Sequence, residues 1–371
     1  MTQPINLPRW ADILLIPILN LATALVVSGL VIFGLGENPF LAISVMLKGA
    51  FYYPGAIGYT LYYTTNFMFT GLAVALAFHA KLFNIGGEGQ AYIGGLGIGL
   101  VCLMLDQFLI GWIVVILAVL GAAIFGALWA IIPGYLQAKR GSHIVITTIM
   151  FNFIAASLMV YLLVNVIIEP NQMSPETRDF ANGVSLLQFH ELFKMFGIKA
   201  TSTPLNLSFI IAILASIFVW LLVWHTKLGY EIRTLGHSES AAEYAGINVP
   251  KTIIIVMAIS GGLAGLVAVN EILGVHHRLL LGFTAGYGFT GIAVALMGRN
   301  HPLGIFLASL LFGILYQGGA ELDFEFSKIT REMVLMIQGL IILFSGALAY
   351  MFNPIVARIL GNYMSKGDQN E

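Results

Sequence analysis

The sequence predicts an all-α polytopic membrane protein of about ten transmembrane helices, folded as a single transmembrane domain over residues 1–371. Three observations predict it. Hydrophobic residues make up 58% of the chain and charged ones 9%, where a soluble domain carries about 25% charged. Mean hydropathy is +0.90. Apolar runs recur at the length of about 20 residues that a bilayer crossing demands. They fall near 11–36, 57–78, 83–105, 108–132, 144–168, 205–225, 253–273, 279–298, 303–320 and 333–352. The formal net charge of −1 leaves no basic surplus for nucleic acid. The single cysteine, Cys102, lies in an apolar run and excludes an internal disulfide.

The first run follows Arg9, is too long for a signal-peptide core and lacks a small-residue cleavage site after it, so it reads as a retained span. Asn38 and Pro39 then open a segment with Phe40, Ile43, Leu47 and Phe51 at helical spacing, which fits an interfacial helix on the outer surface. Orientation follows from the bias of Lys and Arg toward short cytoplasmic loops. With the N-terminus inside, Arg9, Lys81, Lys139, Arg140, Lys227, Arg233, Lys251, Arg299, Arg358 and Lys366 are cytoplasmic. Only Lys48, Arg278, Lys328 and Arg331 fall in short outer loops. Both termini and the loop 227–251 are therefore expected inside, and the long loop 169–204 outside. That outer loop carries a second amphipathic patch around 184–196, which reads as a surface helix or a docking point for an external partner.

The third run opens on Gly86, Gly87, Glu88 and Gly89. Helix-breaking residues and a carboxylate at membrane depth persist only against protein or a water-filled cavity, so a glycine-broken helix at a transport path is one reading. Close packing through small residues is the other, and it suits the later glycines, Gly95 and Gly99 among them. A related texture returns over 281–298, where Gly282, Gly286 and Gly288 precede an apolar run. Paired interrupted segments point to a central site in transporters built from repeats, and a two-fold internal repeat of about five helices is the corresponding expectation.

The polar residues within spans are mostly neutral, because a charge at the bilayer centre costs about 2.5–3.5 kcal/mol on insertion scales. Asn66, Thr147, Thr148, Asn152, Gln317 and Gln338 stand among Phe67, Phe69, Phe151, Tyr287 and Phe289. That mixture suits a neutral, ring-bearing, hydroxylated solute, while each residue alone also suits an interhelical hydrogen bond. Glu88 and Glu271 are the acidic exceptions. A proton relay would pair Glu271 with His276 or His277, but all three are expected near the outer end of their span, within reach of water. No His-Glu-x-x-His spacing marks a metal site, no phosphate-binding glycine loop occurs, and no catalytic cluster stands out.

The loop 227–251 is the water-soluble interruption of the chain. Ser240 and Glu243 have capping-box spacing, Gly246 is placed to end a short helix, and Pro250 blocks its continuation. So short a helix must lean on the rest of the chain or on a partner.

Three stretches resemble a known family: Phe83-Asn-Ile-Gly-Gly-Glu-Gly-Gln90, the loop 228–236 continuing to Ala241-Ala-Glu-Tyr-Ala-Gly-Ile247, and Gly286-Tyr-Gly-Phe-Thr-Gly-Ile-Ala-Val-Ala-Leu-Met-Gly-Arg-Asn300. They look like the permease subunits of bacterial ABC importers for ribose-type sugars and nucleosides, and the first is closer to the nucleoside branch. The resemblance implies a multi-pass protein of the bacterial inner membrane. Its implied partners are an ABC ATPase, a second permease chain of different sequence and an extracellular substrate-binding lipoprotein. ATP and Mg would sit on the ATPase, with no cofactor in this chain and no nucleic acid.

By that resemblance the loop 227–251 carries the coupling helix. Glu231, Arg233, Glu239 and Glu243 would form the polar rim of the ATPase contact. Ala241, Ala242, Tyr244, Ala245 and Gly246 would form its small-residue and aromatic face. The substrate path would involve Asn84, Gly86, Gly87, Glu88, Gln90, Thr148, Asn152, Tyr287 and Phe289. The expected function is translocation of a small neutral solute, nucleosides first, from an external binding protein to the cytoplasm. A ribose-type sugar permease and an ion-coupled secondary transporter are the alternatives.

Overall fold

The computed structural model describes residues 8, 11, 15–170, 173–326, 328–344, 351–354 and 356–358. The described residues form helices and turns, with isolated antiparallel bridges between Glu176 and Leu280 and between Gln188 and Asn206. Seven described helices are long and apolar enough to cross a membrane, or eight if a bent pair near the N-terminus is one span. The chain divides into two compact units, residues 50–317 and residues 1–49 with 318–371.

In the larger unit, α3 (Ala56–His79) is buried along most of its length and packs on α8, α11 and α12. α4 (Gly87–Leu105), α5 (Gly111–Arg140) and α6 (Ile144–Asn165) follow, joined by short turns. Small residues bring their backbones together. Gly94 of α4 faces the backbone of Gly265, Gly97 that of Gly121, and Gly126 that of Gly261. Any Cβ at these points would collide with the neighbouring main chain, so α4, α5 and α11 (Val249–Gly265) lock along glycine seams. The packing reading of the later glycines in the third run thus holds. The outward faces of α5, α6 and α8 (Ser208–His225) carry exposed Ile, Leu, Val and Phe side chains, as lipid contact requires.

The segment between α6 and α8 contains α7 (Phe189–Met195) and lies over residues 273–280. Phe180 N–H donates to the His277 carbonyl at 2.8 Å, and Leu186 N–H to that of Leu273 at 2.9 Å. After α8 come α9 (Lys227–His237) and α10 (Glu239–Tyr244). α11 runs on into a π-helical stretch, Val269–His276. Beyond it α12 covers only Tyr287–Met297, and α13 covers Pro302–Glu325.

In the smaller unit, α1 (Ile16–Gly34) meets α2 (Pro39–Phe51) at 117°. Lys328 reaches Glu37 at 3.5 Å, and α14 (Arg331–Ile342) packs on α1. The interfacial segment expected after Asn38 is α2. It buries Ala42, Val45 and Met46 and exposes Phe40, Leu41 and Leu47.

The sequence-based count of ten spans is larger than the described one for identifiable reasons. The run 279–298 begins with turns, and its 11-residue α12 is about 16 Å long, half a bilayer core. The run 333–352 extends into residues 345–350, outside the described residues. The first run ends in the bent α1–α2 pair.

Candidate functional site

The two glycine-interrupted segments meet. α4 starts at Gly87 after an extended stretch through residues 83–86, so the break lies before the helix and not within it. α12 starts at Tyr287 after turns through 281–286. The Glu88 carboxylate takes a hydrogen bond from the Thr284 hydroxyl at 2.6 Å and from the backbone N–H groups of Gly286 at 3.0 Å and Gly288 at 2.8 Å. It therefore satisfies the otherwise orphaned donors at the start of α12, where the helix dipole also favours negative charge. A side chain at Gly288 would strike the Glu88 main chain, so only glycine permits this approach.

The stretch before α4 is held just as fully. Asn84 exchanges hydrogen bonds with Gln90 at 3.0 Å and donates to Ser260 at 2.9 Å, while its carbonyl oxygen also accepts from Gly86 N–H at 2.9 Å. Asn152 of α6 accepts from Gly89 N–H and donates to the Ile85 carbonyl, both at 2.9 Å. Thr148 accepts from Ile85 N–H at 3.3 Å. The N–H and carbonyl of Ile85 and the N–H of Gly86 are thereby paired within the protein, as non-helical backbone inside a membrane requires. Of the residues expected along a substrate path, Asn84, Gly86, Gln90, Thr148 and Asn152 thus hold the stretch before α4, while Glu88 binds the start of α12 and Gly87 lies against Gly288. Phe289 stands apart from these contacts, half exposed.

A second polar cluster lies on α3 and the π-helical stretch. Glu271 Oε1 accepts from the Tyr62 hydroxyl at 2.6 Å and the Asn66 amide at 2.5 Å. Asn270 donates to Asn66 at 2.9 Å and to the Tyr62 carbonyl at 3.1 Å, and accepts from Ser208 at 2.7 Å and Asn206 at 3.0 Å. Tyr287 hydrogen-bonds Asn66, so the start of α12 belongs to this cluster too. Around it stand aromatic rings. Phe67 makes edge contacts with Tyr287, Phe312 and Tyr316 at centroid distances of 5.5, 5.8 and 4.8 Å, and Tyr63 lies 5.7 Å from Tyr316.

The placement of Glu271 corrects the expectation that water solvates it. Its side chain is 4% exposed, because α3 covers it from the side. The sequence signals for this cluster were the polar run from Tyr62 to Asn66 inside a span and the adjacent Asn270 and Glu271 in an apolar run.

At the opposite end of α8 and α11, α9 buries Gly229, Ile232, Leu235 and Gly236. Gly236 sits against the His79 carbonyl at the end of α3, where no Cβ fits. Thr226 caps α9 by accepting from Gly229 N–H at 3.0 Å. α10 is capped by Ser238, whose hydroxyl accepts from Ala241 N–H at 3.3 Å. Ser240, the expected cap, instead contacts the Ser238 hydroxyl at 3.0 Å, since the chain turns two residues earlier than the capping-box spacing implied. Gly246, at φ +76°, ends the helix as expected. Pro250 occupies the first turn of α11, a position proline favours, so it starts the next helix as much as it ends the last.

The exposed face of α10 comprises Glu239, Ala241, Glu243, Tyr244, Ala245 and Gly246. Tyr244 is 96% exposed. Ala242, expected on that face, is fully buried beneath it. The Arg233 guanidinium bonds the Val223 carbonyl, and Glu231 pairs with Lys227 at 3.9 Å, so both hold α9 to its own surroundings.

The segment between α6 and α8 is clamped by Arg178, which grips Asp106 through two bonds of 2.7 and 2.8 Å. Ala181 N–H adds a third to the same carboxylate at 2.9 Å. These contacts hold the Asp106 carboxyl below the usual carboxylate range and raise Arg178. Arg278 joins the clamp at 3.3 Å from Glu176 and 3.5 Å from Asp179.

An apolar multi-pass bundle in which the short α12 meets the start of α4, with a separate exposed polar helix at one end, is the architecture of a transport permease. Residues 56–346 match the family described as the permease component of the branched-chain amino acid transport system, and the chain belongs to that family. It is an ABC-transporter permease subunit and a multi-pass membrane protein. It is 34% identical to the guanosine ABC transporter permease protein NupP of Bacillus subtilis, over 89% of this chain and 92% of that one. It is 31% identical to the nucleoside ABC transporter permease protein NupB of Lactococcus lactis, over 89% and 90%. Identity to the glucose ABC transporter permease protein TsgB13 of Haloferax volcanii is 30%, over 88% and 86%.

Proposed function

We propose that this chain is the membrane-spanning subunit of an ATP-driven importer that carries nucleosides into the cell. The observation that carries the coupling half of this reading is the exposed face of α10. A fully solvated tyrosine flanked by Glu239 and Glu243, on a short helix packed against α9 and α11, fits a cleft on an ATPase. ATP and Mg are bound by that partner. Closure of the ATPase pushes α10, the push passes through α9 to α3, α8 and α11, and the seam where α4 and α12 meet opens toward one face or the other.

The nucleoside half rests on the relatives named for guanosine and nucleosides, and on the tyrosine-rich cluster with its amides and carboxylate, which suits a flat heterocycle bearing hydrogen-bonding groups. The glucose-named relative supports a second reading, a sugar permease. In both, the termini and α9–α10 are cytoplasmic, an extracellular binding lipoprotein delivers the solute, and a second permease chain completes the path.

The test is reconstitution of the full complex in liposomes. ATP-dependent uptake of radiolabelled guanosine, abolished by Tyr244→Ala together with Ala241→Arg, is expected. Uptake of glucose and not of nucleosides establishes the sugar reading. Uptake that persists without the ATPase refutes both.

A further inference from the structure

The Glu271 carboxylate is unevenly used. Oε1 takes both short hydrogen bonds, from Tyr62 and Asn66. Among the described residues no donor is seen within hydrogen-bond length of Oε2, and the His276 ring lies 3.6 Å from it. A carboxylate oxygen in a side chain so enclosed ordinarily finds a donor, because leaving it without one is costly. Here the acceptor stands open on the side of His276, whose side chain is 34% exposed.

Its backbone is also unusual. Glu271 sits in the π-helical stretch Val269–His276, a geometry that is rare and concentrated at functional sites. Tyr62, Asn66 and Tyr287 surround the same carboxylate with flat rings and an amide. Such a site offers an acceptor for N–H donors and faces for stacking.

We propose that Glu271 Oε2 recognises the solute during translocation, accepting from the N–H edge of a heterocyclic base that stacks against the neighbouring tyrosines. The inference rests on the nucleoside reading above and names the part of the solute that is read. With Oε1 held by Tyr62 and Asn66, the single open oxygen favours a base that offers it a ring N–H, as guanine does, over one that presents a bare ring nitrogen at that edge, as adenine does. Tyr62 and Asn66 are positioning residues in this scheme, since they fix the carboxylate through Oε1.

The experiment uses the complete reconstituted transporter, with its binding protein saturated by each solute in turn, so that maximal uptake reports the membrane step. Wild-type protein is expected to carry guanosine about tenfold faster than 1-methylguanosine, which lacks the ring N–H, the scale set by loss of one hydrogen bond to a charged group. Glu271→Gln is expected to lower the guanosine-to-adenosine uptake ratio about tenfold, because an amide presents a mixed donor and acceptor edge. Equal maximal rates for guanosine and 1-methylguanosine overturn the proposal whether or not the substituted protein folds. So does an unchanged uptake ratio in a folded Glu271→Gln protein, which leaves Glu271 as a brace between α3 and the π-helical stretch. Absence of any nucleoside uptake by the wild type overturns the proposed function itself, and this inference with it.

Discussion

Glu88→Gln probes the joint between α4 and the short α12. The substitution preserves shape but replaces one carboxylate oxygen with an amide nitrogen. If the remaining oxygen keeps the Thr284 and Gly286 bonds, the new N–H₂ faces the Gly288 N–H, now donor against donor. Two charge-assisted bonds become neutral ones, a loss of about 1 kcal/mol each, and the third disappears at about 1.5–3 kcal/mol. The sum is about 4 kcal/mol, with a further share lost from the interaction of the negative charge with the start of α12. For a chain of this size that corresponds to a fall of roughly 5 °C or more in Tm. The assay is thermal unfolding of the purified permease in detergent, followed by tryptophan fluorescence, with ATP-dependent uptake measured alongside. Glu88→Asp serves as a comparison, since a carboxylate one methylene shorter keeps the charge but cannot reach all three donors. A Glu88→Gln protein that unfolds within 1 °C of wild type and transports at the full rate refutes the argument that this carboxylate joins α4 to α12.

Four further outcomes follow from the same structure. Ala242→Arg forces a charge into a fully buried position and is expected to lower the yield of folded protein, measured by size-exclusion chromatography. Ala241→Arg, on the exposed face, is expected to leave the fold intact while separating ATP hydrolysis from uptake. Gly236→Ala drives a methyl into the His79 carbonyl, and overpacking of this kind costs about 1–3 kcal/mol; the expected result is uptake reduced at least severalfold in protein that still inserts. Arg178→Ala strands the buried Asp106 carboxylate and is expected to cost about 2–3 kcal/mol near neutral pH. The Asp106 pKa is depressed below its ordinary value of 3.8 by Arg178. The contribution is therefore fully present above about pH 4 and is lost as pH falls through the lower folded value. Thermal unfolding of wild type and Arg178→Ala should differ at pH 6 and converge as the pH drops below 4.

Much of the architecture was legible because a bilayer imposes a length and a polarity on whatever crosses it. The runs around α3, α5, α6, α8 and α11 needed only hydropathy. The run 279–298 misled because composition does not say where a helix begins, and the turns at 281–286 are as apolar as the helix after them. The short helix in the loop 227–251 was readable from Gly246 and the polar composition, but its cap was not. Ser238 and Ser240 offer the same hydroxyl, and only the bend after α9 selects between them. Ala242 was misplaced for a similar reason. Alanine carries no signal of which face it takes, and the packing of α10 against α9 and α11 decides it.

The sequence by itself determined that the chain crosses a membrane several times, that glycines interrupt it at two places, and that a polar helix interrupts it at a third. Each of these is a property of consecutive residues, set by hydration and by backbone freedom. Only the tertiary structure decided that the two interruptions meet through Glu88, that Asn84 and Asn152 satisfy the exposed backbone, and that Glu271 lies enclosed beside Tyr62 and Asn66. Those pairings join residues as much as 200 or more positions apart. They form because an unpaired polar group inside an apolar bundle is costly enough to select the one packing in which partners coincide.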